Sequence, residues 1–150
     1  MKFSRLILSL ILTLTSAATF ASDYLTIQLK DGPVVIKLSP EVAPQNVARI
    51  KALATAGKYN DVAFHRVIDG FMAQTGDVQF GNLRKGFDAT RVGTGGSDAP
   101  DLPAEFSNIP FDRGVVGMAR SNDPNSANSQ FFIVFAPSYF LNGQYTVVGK

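Results

Sequence analysis

The side chains best suited to chemistry lie in two regions of the sequence. Residues 64–68 read Phe-His-Arg-Val-Ile and residues 71–77 read Phe-Met-Ala-Gln-Thr-Gly-Asp, while residues 129–133 read Ser-Gln-Phe-Phe-Ile. They combine one permanently charged guanidinium, on Arg66, with aromatic rings and two side-chain amides. No nucleophile or cluster of metal ligands accompanies them. This mixture suits binding an uncharged apolar group and hydrogen-bonding the amide beside it, and proline within a peptide is such a group.

The composition excludes several other kinds of site. The sequence has no cysteine and one histidine, so a thiol nucleophile, a disulfide frame and a histidine-rich metal site are all excluded. We therefore expect neither a metal nor a cofactor. A serine-hydrolase triad around His65 lacks the Gly-x-Ser-x-Gly motif. The glycine-rich run at residues 93–96 has no Lys-Ser or Lys-Thr after it, which argues against a phosphate-binding loop.

The N-terminal residues predict an export signal. Lys2 and Arg5 precede an apolar run over residues 6–14, and small residues follow it. This order is typical of a secretory signal peptide, and the run is short for a bilayer span. We predict cleavage after Ala21, with residues 22–150 forming one domain that is periplasmic or secreted and not stably inserted in a membrane. A retained membrane anchor is the alternative, although no charged stop-transfer flank follows.

Charge gives no support for nucleic-acid binding. The full sequence has 14 Lys and Arg against 12 Asp and Glu. Lys2 and Arg5 fall within the predicted signal peptide, so the mature chain is formally neutral. A nucleic-acid-binding surface usually needs clustered positive charge. We expect a monomer that binds no nucleic acid.

The elements that would position these residues are mostly short strands. A helix is predicted from Pro44, where a proline in the first turn is tolerated, to a stop at Gly57. Alternation and turn residues predict strands at 24–30, 34–38, 62–68, 71–74, 115–119, 130–135 and 145–148, a helical turn at 137–140, and a long loop over 79–106. Many short strands with one helix favour a mainly β fold, a closed antiparallel β-barrel with a covering helix.

From residue type alone, the same side chains could equally have structural roles. An arginine such as Arg66 is most often a surface or salt-bridged residue. Phe71, Met72 and Phe132 suit a hydrophobic core equally well. His65 precedes Arg66 on a predicted strand, so its side chain should point to the opposite face, which favours a structural role over acid–base chemistry.

Taken in order, the motifs resemble those of one family. With Gly-Thr-Gly-Gly at 93–96, Gly-Met-Ala-Arg at 117–120, Leu-Asn-Gly at 141–143 and Val-Gly-Lys at 148–150, residues 25–150 resemble the cyclophilins, which are peptidyl-prolyl cis/trans isomerases, and in particular their exported bacterial members. The resemblance implies an eight-stranded barrel with a helix at each open end. It also implies a substrate groove on the outside of the barrel, and proline-containing polypeptides as substrates.

The resemblance assigns roles to individual residues. It implies that Arg66 is the central catalytic residue. The residues it implies for substrate binding are Phe71, Met72, Phe132 and Leu141 in the proline pocket, and Gln74, Gln130 and the backbone of Ala119 and Arg120 around the peptide. Phe140 stands where cyclosporin-sensitive members have tryptophan, and Tyr145 where they have histidine. We therefore expect isomerase activity with weak cyclosporin binding at most.

The family pattern continues past the last residue of this sequence. Family members have another helix and a closing strand after the position of Lys150, so we expect an incomplete C-terminus with the last helix and strand missing. Two alternatives to an active isomerase stay open. One is a non-catalytic module that binds proline-containing peptides or acts as a chaperone, and the other is an inactive fragment of an isomerase.

Overall fold

The computed structural model of the protein describes residues 23–150, so the predicted signal peptide lies outside the described residues. In chain order, the elements are β1 (Tyr24–Leu29), β2 (Gly32–Lys37), α1 (Pro44–Thr55), β3 (Arg66–Ile68), β4 (Met72–Thr75), β5 (Val116–Met118), β6 (Phe131–Val134), a 3₁₀ helix (Tyr139–Leu141) and β7 (Val147–Gly149). All pairings between these strands are antiparallel. The predicted mainly β fold with one α-helix is confirmed, while closure into an eight-stranded barrel stays a prediction.

β1 and β2, near the predicted strands at 24–30 and 34–38, form an antiparallel hairpin. Tyr24 pairs with Lys37 and Leu29 with Gly32. Gly32 has φ +130°, a conformation that favours glycine over residues with a side chain. Beyond the hairpin, Lys37 and Lys150 exchange two backbone hydrogen bonds of 2.8 and 3.0 Å. β2 is therefore joined to the end of β7.

The other five strands form one sheet in the order β3-β4-β6-β5-β7. Its register places Arg66 opposite Gln74, Gln74 opposite Phe132, and Phe132 opposite Gly117. Residues directly opposite each other on neighbouring strands project to the same face. The pairing therefore aligns a cation, an amide and an aromatic ring in one row across three strands.

Helix α1 covers a hydrophobic core. Val47, Ile50 and Leu53 recur at helical spacing and are buried. At the N-terminus of the helix, the carboxylate of Glu105 accepts hydrogen bonds from the backbone N–H groups of residues 45 and 46 at 3.1 and 2.9 Å. This contact satisfies two unpaired helix donors and places a negative charge at the positive end of the helix dipole. Gly57, with φ +67°, ends the helix as predicted.

Each predicted strand differs from the observed one by one to four residues at one end or both. The strand predicted over 62–68 is regular only at 66–68, because the backbone N–H of Ala63 bonds to Gly81 instead of a neighbouring strand. The helical turn predicted at 137–140 lies at 139–141, and the last strand, predicted at 145–148, lies at 147–149. The loop predicted over 79–106 contains no helix or regular strand. None of the helices within residues 23–150 has the length and apolar character needed to cross a bilayer.

Candidate functional site

A surface cavity of about 270 Å³ gathers the side chains that the sequence singled out. We call this cavity the groove. Its lining consists of Arg66, Phe71, Met72, Gln74, Ala119, Arg120, Phe132, Phe140, Leu141 and Tyr145. Gln130 is the one predicted site residue that does not line it, and its side-chain amide bonds to that of Gln74. The strands β3, β4 and β6 and the segments after β5 and β6 thus bring the predicted residues together.

The floor of the groove is apolar and its rim is aromatic. Met72 and Leu141 are buried, and Phe132 packs edge-to-face against Tyr145 with ring centroids 5.5 Å apart. At the rim, the rings of Phe71 and Phe140 lie 5.5 Å apart. Phe140 is 67% exposed, so it forms an apolar wall that remains open to solvent. A small apolar ring would bury its surface here.

A chain of side-chain amides leads away from Arg66. Its Nη1 donates to Oε1 of Gln74 at 3.3 Å, and Nε2 of Gln74 donates to Oε1 of Gln130 at 2.9 Å. Nε2 of Gln130 then donates to the backbone carbonyl of Gly95 at 2.8 Å. Each amide donates from its nitrogen and accepts at its oxygen, so the chain fixes the amide orientations. The N–H of Ala119 donates to the Gln130 carbonyl at 3.0 Å and is therefore not available to a ligand.

Asp77, to which the sequence patterns assign no role, holds the loop at the end of this chain of amides. Its carboxylate is fully buried and accepts four backbone hydrogen bonds. Two come from residues 79 and 80 at 3.1 and 2.8 Å, and two come from Gly93 and Gly95 at 2.7 and 3.0 Å. The feature of the sequence that could indicate this role is an acidic residue placed between a predicted strand and a glycine-rich segment.

The contact with Asp77 engages backbone donors of the glycine-rich loop at residues 93–96. A phosphate-binding loop presents free backbone N–H groups to the anion. In this structure the N–H groups of Gly93 and Gly95 already bind the carboxylate of Asp77. Their donors therefore hold the loop in place and are not free to bind an anion.

A second cavity, of about 570 Å³, adjoins the groove. Gln74, Ala119 and Arg120 line both cavities, so the two meet at these residues. The Arg120 guanidinium donates to the carbonyl of Gln144 from Nε and Nη2, at 3.0 and 2.9 Å, and lies 4.6 Å from the centroid of the Tyr145 ring. Arg120 is thus held at the boundary between the cavities.

His65 stays outside the groove. Both of its ring nitrogens are buried with no hydrogen-bond partner among the described residues, and the ring lies beside Gly93. Burial lowers the pKa of His65 below its ordinary value, while the negative charge of Asp77 opposes this shift. A neutral imidazole packed behind the loop fits the structural role that the sequence predicts, and that role stays a prediction.

The family model, the similar sequences and the similar structures all point to the same family. The family model described as "Cyclophilin type peptidyl-prolyl cis-trans isomerase/CLD" matches residues 24–150. A probable peptidyl-prolyl cis-trans isomerase of Brucella suis is 66% identical over 136 residues, which cover 91% of this chain and 69% of that protein.

Solved structures agree with the sequence matches. A cyclophilin-type isomerase of Cryptosporidium parvum, crystallised in the presence of the dipeptide Ala-Pro, is similar with a TM-score of 0.72 and 30% identity, over 85% of this chain and 77% of that one. A cyclophilin of Hirschia baltica has a TM-score of 0.71 and 28% identity, over 86% of this chain and 63% of that one.

Proposed function

The chain belongs to the cyclophilin-type peptidyl-prolyl cis-trans isomerase family, and on this premise we propose that its groove accelerates rotation about X-Pro peptide bonds in unfolded or flexible polypeptides. The proposal needs no cofactor, because no covalent bond breaks. The observation that carries it is one guanidinium, Arg66, at the edge of an apolar cavity with an amide network behind it.

The barrier to be lowered is that of amide resonance, about 18–20 kcal/mol. In the twisted transition state the proline nitrogen becomes pyramidal and regains its lone pair. A donor placed against that nitrogen therefore binds the transition state and not the planar ground state, which is the condition for acceleration.

Arg66 has the properties that this donor requires. Its guanidinium stays protonated at any physiological pH and carries five N–H donors in a fixed geometry. One donor binds Gln74, and no other hydrogen bond from this group occurs within residues 23–150. The remaining donors are therefore available to a substrate in the groove.

The apolar lining must contribute as much as the cation. A 10⁵-fold acceleration corresponds to about 7 kcal/mol, whereas one charge-assisted hydrogen bond supplies about 1.5–3 kcal/mol. Anchoring of the proline ring by Met72, Phe132 and Leu141 would fix one side of the bond while the other rotates. An apolar environment also disfavours the charge-separated resonance form that makes the amide planar.

The test is the substitution Arg66→Ala. We expect isomerisation of a proline tetrapeptide to fall about 100-fold or more, with peptide affinity changed only severalfold, because the donor acts in the transition state. Arg84→Ala is a matched control, since Arg84 pairs with Asp61 and does not line the groove. Unchanged turnover in Arg66→Ala would remove this residue from the mechanism.

The same assay separates catalysis from the alternative of a proline-binding or chaperone module. An apolar cavity can hold a proline ring whether or not a donor acts on its nitrogen. A protein that binds the tetrapeptide without accelerating its exchange would be such a module. The arrangement of Arg66 and Gln74 beside the cavity favours the isomerase.

Export and weak cyclosporin binding complete the proposal. The N-terminal pattern supports transfer to the periplasm or the exterior, and mass spectrometry of the exported protein should find Ser22 as its first residue.

Phenylalanine at position 140 offers an apolar wall without the N–H donor of an indole. Phe140→Trp should therefore strengthen cyclosporin binding, measured by calorimetry against the unchanged protein.

A further inference from the structure

The groove has an unbalanced electrostatic lining. Arg66 and Arg120 both line it, and no Asp or Glu is among its lining residues. Arg66 donates to a neutral amide oxygen. Among residues 23–150, the three salt bridges are made by Lys51, Arg84 and Arg91, so neither groove arginine is neutralised by a protein carboxylate.

Arg120 is oriented entirely by neutral partners. Its Nε and Nη2 share the carbonyl of Gln144, its Nη1 donates to the carbonyl of Ser121 at 2.9 Å, and its guanidinium lies against the ring of Tyr145. These contacts hold the side chain in one conformation without cancelling its charge. A charge that is already positioned attracts a ligand with a smaller loss of side-chain entropy than a mobile one.

The acidic residue that lines the second cavity has a partner of its own. Asp101 lines the second cavity, and its Oδ1 accepts a hydrogen bond from Nδ2 of Asn128 at 2.9 Å. It does not line the groove. The point where the two cavities meet therefore carries Arg120 and the neutral residues Gln74 and Ala119.

We propose that Arg120 makes this groove selective for X-Pro sequences in which an acidic residue adjoins the proline. This inference rests on the proposed isomerase function. A carboxylate beside the proline would approach two cations with no competing anion in the groove, whereas a lysine there would be repelled by both. Cavities lined by one sign of charge concentrate ligands of the opposite sign.

The experiment compares peptides that differ only in the residue adjoining proline. Glu, Gln or Lys is placed immediately before proline in one series and immediately after it in another, and kcat/KM for cis/trans exchange is measured by NMR exchange spectroscopy. In at least one series we expect Glu to exceed Lys by about threefold to fivefold, the scale of a solvent-exposed ion pair. The difference should shrink as salt is raised to about 1 M.

Two variants assign the selectivity to its source. In Arg120→Gln the ratio of Glu to Lys peptides should fall toward one. In Arg84→Gln, which removes the same charge from a residue outside both cavities, the ratio should stay unchanged. Equal rates for Glu and Lys peptides in both series, or a ratio that survives Arg120→Gln, would overturn the inference. If the protein accelerates the exchange of none of the peptides, the proposed isomerase function itself is overturned.

Discussion

Arg66 and Gln74 face each other across β3 and β4, and the guanidinium of the first donates to the amide oxygen of the second at 3.3 Å. The other end of the Gln74 amide is held by Gln130. The orientation of Arg66 therefore depends on an amide that cannot rotate without breaking a second hydrogen bond. The position of the Arg66 guanidinium is thus a property of the sheet register as well as of the residue itself.

Replacing Gln74 by alanine should reduce catalysis without unfolding the protein. Loss of one hydrogen bond that orients a charged group is expected to lower kcat/KM about tenfold, because the guanidinium gains freedom. Isomerisation kinetics on a proline tetrapeptide would measure the change. Gln28→Ala is the control, since within residues 23–150 the side-chain amide of Gln28 bonds only to the carbonyl of Leu29 on β1. Equal rates in both variants would show that Gln74 does not position Arg66.

Replacing Asp77 by asparagine should destabilise the protein. The asparagine side chain offers one acceptor oxygen, and its NH₂ group would face backbone N–H groups that the carboxylate now satisfies. We expect a loss of about 2–4 kcal/mol in the free energy of unfolding, measured in urea, because charge-assisted hydrogen bonds are lost in a buried site.

The control for Asp77 is Asp88→Asn. Asp88 also binds a backbone N–H, that of Thr90, and it pairs with Arg91. Its surroundings are exposed to solvent, so its substitution should have a smaller effect. Equal losses in the two variants would contradict the anchoring role of Asp77.

The half-buried His65 should make stability depend on pH. Burial lowers the pKa of His65 in the folded protein, so the unfolded chain takes up a proton first as pH falls. Its contribution is complete above the unfolded pKa of about 6.5 and decreases as pH falls from there through the folded pKa. Urea unfolding at several pH values should show this decrease. His65→Gln should remove it, since the sequence contains one histidine.

Gly117 leaves room for the ring of Phe132, which lines the groove, and for the ring of Phe111, which stacks on it. A Cβ at this position would lie 2.7 Å from Cζ of Phe132 and 2.8 Å from Cε1 of Phe111. Gly117→Ala should therefore cost about 1–3 kcal/mol by overpacking and lower activity by displacing Phe132. Thermal unfolding measures the cost. Combining it with Phe111→Leu should recover part of the activity, and a Gly117→Ala protein of normal stability and activity would contradict the packing argument.

Much of the groove could be predicted from sequence because its residues lie in short motifs. Period-two alternation located the hairpin, and the motifs around Arg66 and Gln130 indicated the residues that meet in space. The strand at 62–68 was too long because alternation does not reveal that Ala63 bonds to Gly81. The role of Asp77 depends on a long loop folding back onto it, and local patterns carry no information about that path.

The hairpin of β1 and β2 contributes no residue to the lining of the groove or of the second cavity. At its turn, a Cβ on Gly32 would meet no atom within 4 Å. A fluorophore or an affinity tag attached at Asp31 would therefore leave every side chain that lines the two cavities unaltered. The same position allows the protein to be immobilised on a sensor chip with the groove accessible to added peptides.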